Sequence, residues 1–116
     1  MTLKLRWEGM LWMRLLITFD LPVDTSKERR KYRMLVKKLE AEGFYRYQYS
    51  LYVRVCTSPA DVENCKIRLR SLLSNYDGDV RAISMTDKQF VRIESLIKNG
   101  SDSDNINAST KRLLII

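Results

Sequence analysis

Apolar positions along this chain recur first at the spacing of a strand and then at the spacing of a helix. In Leu15-Leu16-Ile17-Thr18-Phe19-Asp20-Leu21-Pro22, the side chains Leu15, Ile17 and Phe19 share one face of a strand, and Leu16, Thr18 and Asp20 share the other. Apolar residues on both faces predict cover on both. Asp20 falls at the C-terminal mouth of the strand, and Pro22, with no N–H to give, stops the ladder. Thr25-Ser26-Lys27-Glu28 has capping-box spacing. The helix it opens runs to about Glu42, where Gly43 supplies the stop. Tyr32, Leu35, Val36 and Leu39 form its buried stripe.

Phe44 to Cys56 is aromatic and β-branched, which predicts a hairpin bent near Gln48-Tyr49-Ser50. In its second limb Leu51, Val53 and Val55 alternate with Tyr52 and Arg54, and the first set is expected to face the helices. Ser58 and Pro59 open a second helix with Val62, Cys65, Leu69, Leu72 and Leu73 on its apolar stripe. A turn around Gly78 leads to a strand over Asp79 to Met85. Thr86-Asp87-Lys88-Gln89 then starts a short helix with Phe90, Ile93 and Ile97 on one side. Asn99 to Thr110 is polar and reads as a flexible arm, ending in Leu113-Leu114-Ile115-Ile116, which suits a strand added to a sheet edge. The order predicts an α+β fold, the ferredoxin-like βαββαβ sandwich with an extra C-terminal helix and strand. Its domain spans 13–98, between an extension over 1–12 and an arm over 99–116. The extension stems from an upstream start codon or forms a short extra strand. Helices cover one face of such a sheet, so apolar positions on the other face point to a homodimer packed sheet to sheet.

Charge narrows the partners. Among 116 residues, 21 Lys and Arg oppose 14 Asp and Glu, for a net charge of +7. Nucleic acid is the first polyanion such a balance favours and an anionic membrane surface the second, while a merely soluble basic surface is the plain alternative. No histidine is present, which excludes His-based triads and His metal ligands. Cys56 and Cys65 lack zinc-ligand spacing and read as reduced core residues of a cytoplasmic protein. The apolar runs are too short to span a bilayer, and no signal peptide is evident.

On the first helix Lys27, Arg29, Arg30, Lys31, Arg33, Lys37 and Lys38 surround the apolar stripe. A solvated face and a phosphate-binding face fit this pattern equally. Tyr45, Tyr47, Tyr49 and Tyr52 suit base stacking, but filling a core or a subunit interface is the commoner use of such residues.

The first strand with Phe19-Asp20-Leu21-Pro22, the following Arg29-Arg30, the Gly43-Phe44 helix exit and Gln48-Tyr49-Ser50-Leu51-Tyr52-Val53 together resemble the small CRISPR-associated adaptation proteins called Cas-two, also named CRISPR-associated endoribonucleases. The resemblance covers about Met13 to Ile97, and Phe19-Asp20-Leu21-Pro22 and Gln48-Tyr49-Ser50-Leu51-Tyr52 resemble members from type II systems. It implies a ferredoxin-like homodimer whose C-terminal strand completes the partner's sheet. It also implies a role in spacer acquisition in antiviral defence, bridging Cas-one integrase subunits on a short double-stranded DNA. Several members of the family are metal-dependent endonucleases on RNA or double-stranded DNA. Asp20 matches the metal-binding aspartate of that activity, and Ser50 matches a supporting serine.

Two Asp20 carboxylates brought together at a twofold axis do not both ionise cheaply, and a proton or a divalent cation such as Mg2+ relieves them. The alternative is that Asp20 only caps its turn. Lys27, Arg29, Arg30, Arg33, Lys37, Arg46 and Arg54 are the candidate phosphate contacts. An RNA-recognition motif of the same layout fits less well, because Phe44 to Cys56 contains no glycine.

Overall fold

A computed structural model describes residues 11–98 of the chain. The expectations for 1–10, for the polar arm and for a strand at Leu113 to Ile116 lie outside the described residues. The chain divides into two units, one ending at Thr86 and one beginning at Asp87.

The first unit carries β1 (Met13–Asp20), α1 (Ser26–Ala41), β2 (Tyr45–Gln48), β3 (Leu51–Cys56), α2 (Pro59–Leu72) and β4 (Asp79–Thr86). The strands form one sheet in the order β2-β3-β1-β4 with every neighbouring pair antiparallel, which is the ferredoxin-like arrangement. Leu15, Ile17 and Phe19 on β1 meet Leu35 and Leu39 of α1 and Val62, Cys65 and Leu69 of α2 in a single core. Each such side chain removed from water contributes about 2 kcal/mol before entropy is counted. The thiols of Cys56 and Cys65 are free and buried, and that burial pushes both pKa values up, so neither is a ready nucleophile.

The helix boundaries follow from local chemistry. The Thr25 hydroxyl accepts from the Glu28 N–H at 3.1 Å, and the Glu28 carboxylate accepts from the Thr25 N–H at 2.9 Å. The Thr25 and Asp24 backbone N–H groups hold Glu28 below the usual glutamate range, against a smaller opposing effect of burial. At the other end Gly43 takes φ +95°, a conformation only glycine adopts without strain. The Phe44 N–H then reaches the Leu39 carbonyl and the Gly43 N–H the Glu40 carbonyl, both at 3.0 Å. Those carbonyls lie at the helix end and would otherwise lack donors. In α2 the Ser58 hydroxyl accepts from the Asp61 N–H, and Pro59 stands where a missing N–H costs nothing.

One facing assignment differs from expectation. Register pairs Ile17 with Tyr52 and Leu15 with Arg54, so Tyr52, Arg54 and Cys56 face the helices. Leu51, Val53 and Val55 lie on the second face, where Val53 pairs with Leu16. An alternating segment with apolar residues in both sets does not reveal its facing. The second face carries an apolar row across all four strands, Tyr45, Val53, Leu16 and Ile83. Its two central members are buried, whereas Tyr45 and Ile83 are 42% and 45% exposed.

The second unit begins with the single turn α3 (Asp87–Phe90), which ends sooner than expected. Phe90 is buried, but Ile93 and Ile97 are exposed, so no continuous apolar stripe forms. The β-branched residues Val91, Ile93 and Ile97 repay the cost of a helix nucleus poorly. No helix among the described residues is long and apolar enough to cross a membrane.

Candidate nucleic-acid interface and carboxylate site

Asp20 is the last residue of β1 and is exposed. Among the described residues its carboxylate has no hydrogen-bond or ion-pair partner. Two chain segments fix its place. On one side the Phe19 N–H donates to the Ser50 carbonyl at 3.2 Å, extending the β1–β3 ladder into the turn that carries Ser50. Pairing therefore brings Ser50 to the same end of the sheet as Asp20. On the other side Asp20 stands opposite Asp79 of β4. Like charges opposite one another disfavour pairing, but Arg81 engages Asp79 through Nε and Nη2, each at 3.0 Å from Oδ2.

The turn before Asp79 presses Gly78 against β1. Its φ is +114°, and a Cβ there would lie 2.6 Å from the Asp20 carbonyl oxygen and 2.9 Å from the Leu21 side chain. In the sequence Gly78 reads only as a turn residue. Its close approach to the backbone of Asp20 depends on strand order, which local pattern does not contain.

Among the described residues of one chain the donors do not amount to a metal centre. No group of three or more His, Cys, Asp or Glu suited to a metal ion occurs among the described residues. Asp20 supplies one free carboxylate, and the nearby Asp79 is engaged by Arg81. A divalent cation at Asp20 would therefore take most of its oxygen donors from outside these side chains, from water, a phosphate or another chain.

The seven candidate phosphate contacts divide into two kinds. Arg29 donates from Nη1 to the Val23 and Asp24 carbonyls at 3.1 Å each, closing the loop before α1. Arg54 is half-buried and donates to the Glu42 carbonyl at 2.8 Å, to Asp61 Oδ1 at 3.2 Å and to Cys56 Sγ at 3.2 Å. It binds β3 to the end of α1 and the start of α2. Both guanidinium groups are engaged by the fold. Lys27, Arg30, Arg33 and Lys37 are exposed on α1 and make no hydrogen bond or salt bridge among the described residues. At 100° per residue Arg30, Arg33 and Lys37 form one outward row. Lys31 and Lys38 point another way and sit over the Tyr76 ring, each 5.3 Å from its centroid.

Arg46 pairs with Tyr52 across the hairpin and so lies on the helix-facing side. There it lines an open groove of about 340 Å³ together with Arg33, Lys37, Glu40 and Tyr49. The fold thus brings Arg33, Lys37 and Arg46 together from two elements. The four tyrosines of the hairpin separate as well. Tyr52 is core, Tyr45 accepts from Arg14 Nη1 at 2.8 Å on the second face, and Tyr47 is half-buried, with its pKa raised chiefly by that burial. Only Tyr49 projects, 73% exposed, with the Arg46 guanidinium 5.3 Å from its ring centroid. Its position in a two-residue turn was the available signal, since such a residue has no sheet face to pack against.

The family described as CRISPR associated protein Cas2 matches residues 13–93. The chain is similar to the CRISPR-associated endoribonuclease Cas2 of Ligilactobacillus salivarius, with 40% identity over 90% of this chain and all of that relative. The protein of the same name from Lacticaseibacillus rhamnosus is 36% identical over 90% of this chain and all of its own length. That of Streptococcus mutans (strain UA159) is 33% identical over 90% of this chain and 93% of its own. With the ferredoxin-like order of elements, these matches show that the chain belongs to the Cas2 family of CRISPR-associated proteins.

Proposed function

We propose that this protein acts in the cytoplasm in spacer acquisition, as a homodimeric adaptor that holds a short DNA duplex and bridges subunits of the Cas-one integrase. The observation that carries the reading is the cluster of Arg33, Lys37 and Arg46 along one groove, with charged ends that no acidic side chain among the described residues takes up. Cations in that state attract sugar-phosphate chains and release counterions on binding without reading sequence. The apolar row on the second sheet face, with Tyr45 and Ile83 exposed at its ends, supports a sheet-to-sheet dimer.

A second reading is favoured by the exposed Asp20, unpartnered among the described residues and at the same end of the sheet as Ser50, and by the word endoribonuclease in the relatives' names. In it the Asp20 carboxylates of two subunits would hold a Mg2+ ion, which would relieve their mutual repulsion and supply positive charge for phosphodiester cleavage.

One experiment separates the two. Purified protein, the integrase and a short duplex are combined, and integration is scored beside stand-alone Mg2+-dependent cleavage. The adaptor reading expects Asp20→Asn to integrate like the unaltered protein, and Arg33→Ala with Arg46→Ala to lose integration. Loss of both integration and cleavage in Asp20→Asn, with the arginine variant intact, would reverse the order of the readings.

A further inference from the structure

Tyr49 is unusual among the described aromatic residues in holding its ring in water while a guanidinium covers one side of it. A ring so placed offers its other face to a flat ligand, and the cation above it strengthens stacking. The surroundings indicate which flat ligand. Arg33 and Lys37 stand one helical turn apart on the same wall, about 6 Å along the axis, and Arg46 projects from the opposite limb. Glu40, in the same wall, repels a phosphate but accepts a hydrogen bond from an exocyclic amino group or a ribose hydroxyl. Cations for phosphates, an aromatic face for a base and an acceptor for a base edge are the parts of a nucleotide site. In a duplex each base face is hidden by its stacked neighbours, so only an unpaired base can use the ring.

We propose that the Arg33–Lys37–Arg46 groove takes an unpaired nucleotide of a nucleic-acid strand, its base stacked on Tyr49 and its flanking phosphates on the three cations. This rests on the nucleic-acid reading above and adds that the groove prefers single-stranded segments. Such a segment is a free strand or the frayed end of a duplex, and the chemistry of recognition is the same.

The full chain is titrated by fluorescence anisotropy with three probes: a single strand of about 12 nucleotides, a blunt duplex of the same sequence, and that duplex with an unpaired end. Tyr49→Ala is expected to weaken the single strand and the overhanging duplex by about tenfold and the blunt duplex by less than twofold. Tyr49→Phe keeps the ring and is expected to bind like the unaltered protein. A loss confined to one of the two unpaired probes supports the site and identifies its source. An equal loss on all three probes, or no loss on any, overturns the inference while leaving duplex binding to the adaptor reading. Failure of the unaltered protein to bind any probe overturns both. An unchanged melting temperature confirms that each variant is folded, as the exposure of Tyr49 leads one to expect.

Discussion

Arg46 and Arg54 belong to the two limbs of one hairpin and face the same side of the sheet, yet their surroundings differ completely. Arg54 lies over the glycine that ends α1, with three acceptors within 3.2 Å and Asp61 as its counter-charge. Arg46 has an aromatic ring face for company and two further cations across an open groove. The first environment fixes the meeting of β3, α1 and α2. The second leaves a positive field directed at solvent. Residue type and facing alone therefore do not distinguish a structural cation from a binding cation. Whether the protein itself supplies the acceptors decides it.

The largest effect expected from this contrast is on stability. Arg54→Met leaves the Glu42 carbonyl and the Asp61 carboxylate without their shared donor in a half-buried seam, and unfolding should become easier by about 2–3 kcal/mol. Arg54→Lys should recover little of this, because an ammonium cannot present a planar fork to three separated acceptors. Urea titrations measure both, and the nucleic-acid affinity of the folded Arg54→Met protein should change by less than about twofold, since the bonds it makes are internal. A binding defect without a stability defect would mean that Arg54 belongs with Arg46.

The converse experiment removes the groove. Arg33→Ala, Lys37→Ala and Arg46→Ala together should leave stability within about 0.5 kcal/mol per site, because none of the three makes a hydrogen bond or salt bridge among the described residues. Duplex affinity should fall, and the plot of log affinity against log salt should become shallower by about 0.9 for each phosphate no longer neutralised. An unchanged salt slope would place the duplex on another surface, with Lys27 and Arg30 the next candidates on α1.

Much of this contrast could not be read from the chain before folding. The caps at Thr25 and Ser58, the stop at Gly43 and the order of elements from β1 to α3 depend on interactions within a few residues, and they appear as expected. The position of Asp20 at the end of β1 was legible for the same reason. The facing of β3 was not, because Val53 and Tyr52 are both suited to a core and register alone chooses between them. The roles of Arg29 and Arg54 were hidden for a further reason. Their acceptors are mainly backbone carbonyls of Val23, Asp24 and Glu42, and a carbonyl leaves no trace in residue identity. Cations that look alike in the sequence thus separate only once the backbone is in place. Lys31 and Lys38 were legible as surface charges, but not as partners of Tyr76 far along the chain.

The smallest effect, and the most specific to the Arg54 seam, is its response to acid. The Thr57 N–H, at 3.0 Å from Oδ2, is the strongest influence lowering the pKa of Asp61, and the Arg54 guanidinium adds to it against the opposing push of burial. A carboxylate with a lowered folded pKa contributes stability in full above its ordinary value near 3.8, and that contribution is lost as pH falls from there through the folded value. The unaltered protein should therefore be more stable than Asp61→Asn at pH 7, with the gap unchanged down to about pH 5 and closing below about pH 4. Glu28, also held low, weakens both proteins alike in the same range and cancels in the difference. Replacing Arg46 should not alter how stability responds to acid, because no carboxylate among the described residues is bonded to it. A gap between the unaltered protein and Asp61→Asn that stayed constant through pH 3 would show that the seam is held by hydrogen-bond geometry alone and not by charge, and the distinction between the two arginines would then lie in packing.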